Sequence, residues 1–186
     1  MKKALQHILF VAALLPGTAF AEPVGQAASS KAQVVKADPL PMMTLDEAVA
    51  ATHGKLSLRV LAFLKTMNGI VAAGKQPDFT EARWNALTPM VDVDHFRRVG
   101  NFGEVMNWKD YTPMLTKWVQ HSWWQGRIRR ISEVGNLVYL EAEERMSTKG
   151  EVRDDGGYDI LHSLSVYEFG KDGKLTGLWV YDERPR

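Results

Sequence analysis

After Ser122 the chain changes its period, and that change limits the fold more than any other feature. Residues Arg127 to Val134, Leu137 to Thr148, Tyr158 to Phe169 and Leu175 to Glu183 alternate apolar and polar side chains. Between them lie Gly135-Asn136, Asp154-Asp155-Gly156-Gly157 and Lys171-Asp172-Gly173-Lys174, short runs rich in turn formers. A period of two sends successive side chains to opposite faces of a sheet, and short Gly, Asn and Asp turns join neighbouring strands antiparallel. An antiparallel meander is therefore expected, with one face wet and one face that needs a cover. An earlier strand pair is expected between Val91 and Trp108, centred on His95 to Val99 and Phe102 to Met106.

The cover must come from the N-terminal half, where the spacing is helical. Thr44-Leu45-Asp46-Glu47 is a capping box, so a helix starts there. Val60, Phe63, Leu64, Met67, Ile70 and Val71 continue at helical intervals until Gly74 and Pro77 stop the run. Asp78-Phe79-Thr80-Glu81 repeats the capping pattern before a short helix through Trp84 and Leu87. A third helix is expected from about Asp110 or Thr112, with Pro113 in its first turn. Trp84, Trp108 and Trp118 read as packing residues. Helices followed by a long antiparallel sheet define an α+β fold: N-terminal helices on one face of a strongly curved antiparallel sheet, a cone with an internal pocket.

Lys2 and Lys3, the apolar stretch Leu5 to Leu15, Pro16-Gly17 and the small-residue site Ala19-Phe20-Ala21 have the pattern of a cleavable signal peptide, residues 1–21. Residues 22–43 lack periodicity and read as a flexible tether, which leaves 44–186 as a single domain. Loss of Lys2 and Lys3 takes the net charge from +1 to about −1, which does not steer the protein to nucleic acid or to an anionic membrane. No membrane insertion is expected after cleavage. Arg127, Arg129 and Arg130 read as an ion-paired wet face. With no cysteine, neither a disulfide framework nor a cysteine metal site is available. The expected location is periplasmic or secreted.

Candidate chemistry comes from polar residues that interrupt apolar faces. On the strand from Leu137, the residues Val138, Leu140, Ala142, Glu144 and Met146 share the covered face. Glu144 must there be paired, protonated or solvated in a cavity, because an unpaired buried charge is costly. It is a strand-end ion-pair partner for Arg97 or Arg98, or a general acid or base. On the last strand Asp182 shares a face with Leu178 and Val180, and it is either a second site acid or part of a polar chain end. The phase of Tyr158 to Phe169 is ambiguous, so His162 is either a structural histidine or a partner of Glu144. His95 and Arg97 share a face with Val91, Val93 and Val99, where they would anchor a ligand oxygen or lie at a subunit boundary. No metal-ligand spacing, phosphate loop or nucleophile elbow is present, so no metal and no cofactor are expected.

This order of elements, with Leu137-Val-Tyr-Leu-Glu-Ala-Glu-Glu-Arg-Met146, Val166-Tyr-Glu-Phe169 and Asp172-Gly-Lys-Leu-Thr-Gly177, resembles the nuclear transport factor 2-like superfamily. The likeness is to its SnoaL-like polyketide cyclase, limonene epoxide hydrolase and ketosteroid isomerase branch, and it covers roughly Leu56 to Glu183. It implies a cone around an apolar pocket for a small hydrophobic molecule, with Leu140, Ala142 and Val180 at the site. It also implies a homodimer paired through the outer sheet face, which here carries Tyr139, Trp179 and Tyr181. The epoxide hydrolase pattern has an arginine where this chain has Ala142, an acid at Glu144 and an aspartate at Val180. Asp182 lies two residues beyond that last position, roughly 7 Å along the strand. The isomerase's basic aspartate falls near Arg97, which cannot accept a proton. Two classes of function follow: a lyase, isomerase or hydrolase using Glu144 with Asp182 or His162, or a non-catalytic small-molecule binding or dimeric interaction domain.

The export reading has a direct check. Intact mass of protein from the extracytoplasmic fraction should correspond to a chain beginning at Glu22, and recovery only in membranes with Met1 retained would refute it.

Overall fold

The computed structural model describes residues 42–121, 123–147 and 159–183. The signal segment, nearly all of the tether and the Asp154–Gly157 turn lie outside the described residues. Helix α1 is Leu45–Ala51 and α2 is Lys55–Ala73, followed by a 3-10 helix at Glu81–Met90. Strands β1 (Arg97–Val99) and β2 (Val105–Met106) precede α3 (Trp108–His121). Strands β3 (Trp123–Val134), β4 (Leu137–Ser147), β5 (Asp159–Phe169) and β6 (Leu175–Glu183) complete one six-stranded sheet in the order β2-β1-β6-β5-β4-β3. The sheet is curled and unclosed, and the fold class is α+β. It is not wholly antiparallel: β1 runs parallel to β6, with Arg98 opposite Leu178.

The turns form where the sequence places them. Gly135 and Gly173 take left-handed backbone angles, φ 62° and 76°, which glycine adopts without the steric cost of a Cβ. Across the sheet the register sets Ala142 opposite Ser163 and Ser163 opposite Asp182. One rung away, Leu140, Ser165 and Val180 are aligned in the same way. The covered face carries Val138, Leu140 and Ala142 from β4, Tyr167 and Phe169 from β5, and Leu178 from β6, all buried. Against it lie Val60, Leu61, Phe63 and Leu64 of α2, each contributing on the order of 1.5–3 kcal/mol by its burial. Among the described residues α2 is also the one helix long and apolar enough to cross a membrane; here it packs on the sheet. Trp84 is buried and donates its indole N–H to Thr116 Oγ1 at 2.9 Å, which ties the 3-10 helix to α3.

Several boundaries differ from the expected ones for identifiable reasons. The first helical run is two helices, because the Glu133 carboxylate occupies the space beside Gly54 where a Cβ would stand. Glu133 Oε2 accepts the Ser57 N–H at 2.8 Å, so a β3 side chain caps α2 with the charge that the helix N-terminus favours. Asp78 does not cap the next helix; it pairs with Arg83 at 3.1 Å, and the N-cap is Thr80. Helix α3 begins before Asp110, since Asn107 Oδ1 accepts the Asp110 N–H at 3.0 Å, and Pro113 falls inside it. Met43, the last residue of the expected tether, is not free: it pairs with Ile128 through backbone bonds of 2.7 and 2.8 Å.

The backbone hydrogen bonds of Ser57 and its neighbours hold the Glu133 carboxyl below its ordinary range. Its contribution is therefore present above the unfolded carboxyl pKa and is lost as pH falls through the lower folded value. Glu133→Ala should destabilise the protein by roughly 0.5–1 kcal/mol at pH 7, the scale of an exposed helix cap. Urea denaturation at pH 7 and below pH 4 should show the difference shrinking in acid.

Candidate functional site

Between the helices and the covered face lies a cavity of about 260 Å³. Its apolar wall is built from Phe63, Leu64 and Met67 of α2 with Met114, Leu115 and Trp118 of α3. The polar groups converge from the strands: Arg98 from β1, Glu144 from β4, Ser165 and Tyr167 from β5, and Asp182 from β6, joined by Tyr111 of α3. An apolar chamber with a few convergent polar groups has the composition of a small-molecule site, although its volume is below the common range of roughly 300–1,000 Å³.

Arg98 is the cation of this cluster, with its side chain only 15% exposed. Its guanidinium donates to Glu104 Oε1 at 2.9 Å and lies 5.7 Å from the centre of the Tyr111 ring. A Cβ at Gly100 would collide with the Glu104 side chain, so the glycine is what allows this ion pair to form. The hydrogen bond from Arg98 is the chief reason that the Glu104 carboxyl is held below its usual range. Burial pushes the Tyr111 phenol up to about 12, with Arg98 opposing the rise and Glu144 adding to it. Burial also raises the Tyr167 phenol, to which the charges of Tyr111 and Glu144 contribute. Both phenols are therefore donors across the ordinary pH range.

The two carboxyl groups have different surroundings. Glu144 Oε1 accepts the Ser163 hydroxyl at 2.9 Å. Asp182 Oδ1 is inaccessible and has no hydrogen-bond partner among the described residues. Burial raises the Asp182 carboxyl above its ordinary range, with Arg98 opposing the rise and Glu104 adding to it. The Asp182 backbone is held firmly: its N–H donates to Asn101 Oδ1 at 2.8 Å, and its carbonyl accepts from Asn101 Nδ2 at 2.7 Å. Asn101 thus extends with its side chain the pairing that β1 makes with β6.

Of the residues singled out in the sequence, Glu144, Asp182 and Val180 line the cavity, while Leu140 and Ala142 lie on the same face beside it. His162 does not join them. Ser163, Ser165, Tyr167 and Phe169 are the buried set of β5, so the alternation sends His162 to the outer face, opposite Glu143 and Glu183. His95 is in a turn before β1, 79% exposed and 3.0 Å from Asp92. Arg97 is exposed because the phase of β1 is set by the buried Phe96, which turns Arg98 inward. Of the two arginines offered as partners for Glu144, Arg98 is thus the inward one, and the signal for that phase was Phe96 rather than the valines around His95. Tyr111 follows from the helical spacing it shares with Leu115 and Trp118, whereas Asn101 had no signal in the sequence.

The outer face has a groove of about 460 Å³ lined in part by Arg129, Arg130, Glu141, His162, Leu164 and Tyr181. Arg130 pairs with Glu141 at 2.9 Å and Arg129 approaches the same carboxylate at 3.7 Å, in keeping with an ion-paired wet face.

No family model matches the chain, and no curated protein matches it. Solved structures of nuclear transport factor 2-like, SnoaL-like and epoxide hydrolase-like proteins are similar to it. A SnoaL-like polyketide cyclase from Jannaschia sp. CCS1 aligns at 10% identity and a TM-score of 0.48, over 71% of this chain and 90% of the other. An NTF2-like protein of unknown function from Cytophaga hutchinsonii aligns at 20% identity and 0.46, over 71% and 93%. An LEH-like epoxide hydrolase from M. tuberculosis aligns at 14% and 0.45, over 65% and 82%. The fold itself is α+β, with a cavity between its helices and its sheet.

Proposed function

We propose that this is an exported pocket protein that takes a small, oxygen-bearing apolar molecule into the cone and performs acid/base chemistry on it, as a lyase, isomerase or hydrolase. One observation carries the reading: the half-buried Asp182, whose inaccessible Oδ1 has no hydrogen-bond partner among the described residues, shares an apolar cavity with a second carboxyl, Glu144. Two carboxyl groups in unlike surroundings are a natural acid and base. Asp182, whose neutral form burial favours, gives a proton to the ligand oxygen. Glu144 takes one from the ligand or from water, and Arg98 and the phenols of Tyr111 and Tyr167 offset negative charge that develops on oxygen. The guanidinium that Ala142 leaves missing on β4 is supplied by Arg98 on β1. A binding protein without turnover is the alternative, and the variants below separate the two.

Asp182→Asn keeps the shape and a donor but cannot transfer a proton. It should abolish turnover of the small molecule that co-purifies, identified by mass spectrometry, while leaving its affinity within a few-fold; Glu144→Gln should do the same. If the molecule is returned unchanged by the wild type, the protein binds and does not catalyse. Stability gives a second readout. A carboxyl whose folded pKa is raised contributes favourably below its unfolded pKa, and that contribution is lost as pH rises through the folded value. Asp182→Asn should therefore be more stable than wild type at pH 7, by roughly 0.5–1 kcal/mol after allowance for partial solvation, and should lose that advantage in acid.

We also infer that the protein pairs with a second copy through the outer face of its sheet. Support comes from a cross-strand row, Tyr139, Val166 and Trp179, beside Leu164 and Tyr181, which are 42% and 50% exposed. Covering such a row would remove apolar surface from water. Light scattering should give a dimer for the wild type and a monomer for Tyr181→Glu. A wild type that stays monomeric at high concentration would eliminate the dimer.

A further inference from the structure

Next to the main cavity is a second chamber of about 40 Å³. The two share Leu64, Glu144, Ser165 and Tyr167, and the smaller one is closed by apolar side chains such as Ile128 and Leu140 together with Asn68 of α2. Asn68 Oδ1 is inaccessible and, among the described residues, receives no hydrogen bond. Buried amide oxygens are nearly always satisfied, by protein or by ordered water. A buried water needs roughly 10–15 Å³ of room for its centre and about two to four polar partners. The chamber offers more room than that, and Asn68, Glu144 and Ser165 supply the partners.

We propose that this chamber is a binding site for an ordered water molecule, held between Asn68 Oδ1 and the Glu144 carboxylate and presented to the occupant of the main cavity. Both holding groups are acceptors, so each takes one of the water's two protons. The lone pairs are left for Ser165 and for a carbon atom in the main cavity, which Glu144 and Ser165 also line. Water held in this way is a nucleophile with its base already in place. The inference rests on the acid/base reading of Glu144 and Asp182, and it narrows that reading to reactions that add water. With a bound ketone the step balances as follows. The water oxygen forms a bond to the carbonyl carbon as its proton passes to Glu144, the carbonyl π bond breaks, and the carbonyl oxygen takes the Asp182 proton, giving a geminal diol. When the diol turns so that the original oxygen faces Glu144, that oxygen takes the Glu144 proton and leaves as water while Asp182 takes the proton of the remaining hydroxyl, which restores the ketone with its oxygen exchanged and both carboxyl groups in their starting states. Neither oxidant nor metal enters the balance. An isomerase working through a direct proton shuttle would have no use for the chamber, whereas a hydrolase or hydratase requires it. Asn68 is then a positioning residue, acting through the water.

The test uses cyclohexanone as probe with the mature protein, following binding by the fluorescence of Trp118 in the cavity wall and oxygen exchange in water enriched in oxygen-18 by mass spectrometry. Wild type should bind the ketone and exchange its oxygen faster than buffer does. Asn68→Leu, which fills the chamber and removes the acceptor, should still bind but exchange about tenfold more slowly or less, the scale expected when a reacting group loses its position. A high-resolution crystal structure should show a water within about 3.2 Å of both Asn68 and Glu144 in the wild type and none in the variant. A dry chamber, an Asn68 amide bonded directly to Glu144, or exchange unaffected by Asn68→Leu would overturn the inference while leaving the acid/base reading intact. A water in place with no exchange by the wild type would instead count against the acid/base reading and leave the water site standing.

Discussion

Every feature of the site depends on the register of three strands. Ala142, Ser163 and Asp182 stand abreast on β4, β5 and β6, and the face they share is the covered one. Because the side-chain period of a strand is two, a slip of one residue in β5 would bring His162 and Leu164 inside and expel Ser163 and Ser165. Glu144 would lose the hydroxyl it accepts, and Tyr167 would leave the core. Gly173 pins the β5–β6 part of this register from its turn, through a backbone angle that other residues rarely adopt.

The meander forms only part of the site. Its polar end is completed by a segment that joins the sheet from outside the meander, β1, lying parallel to β6. That pairing sets Arg98 opposite Leu178, on the wall of the cavity that Asp182 also lines, and lets Asn101 grip the Asp182 backbone with two hydrogen bonds. The cation is itself tethered by Glu104, so the cluster is not simply a positive hole beside an acid. A carboxyl in such a place is only partly compensated. Its inaccessible oxygen, without a partner among the described residues, is a local cost to stability, of the kind that proteins tolerate where function needs a reactive group.

What could be read from the sequence was local. Strand β6 and the start of β4 follow from alternation and turn chemistry, and α1 begins at its capping box, with Thr44 N–H bonding Glu47 at 2.7 Å. What could not be read was set by contacts distant in the chain. The break between α1 and α2 depends on a carboxylate 76 residues beyond Ser57. The phase of β1 could not be found by alternation because the strand has three residues, and one buried Phe96 outweighs the valines nearby. In β5 two serines face inward, which a polarity pattern assigns to solvent; Ser163 is satisfied there by Glu144. Glu144 and Asp182 were legible because each interrupts an otherwise apolar row. Arg98, Asn101 and Asn68 interrupt no such row.

The short bridge at Met43 also bears on how the chain avoids its own kind. Strand β3 is an edge strand of 12 residues, and a long free edge is a template on which other chains can add strands and aggregate. Met43 occupies that edge at Ile128, and the pairing of β3 with β4 shifts by one residue immediately afterwards, between Ile128 and Arg130. A plug and a bulge at the same place interrupt the row of open backbone groups near its middle. A protein without disulfides thus protects its most adhesive border with one backbone contact and one irregular residue.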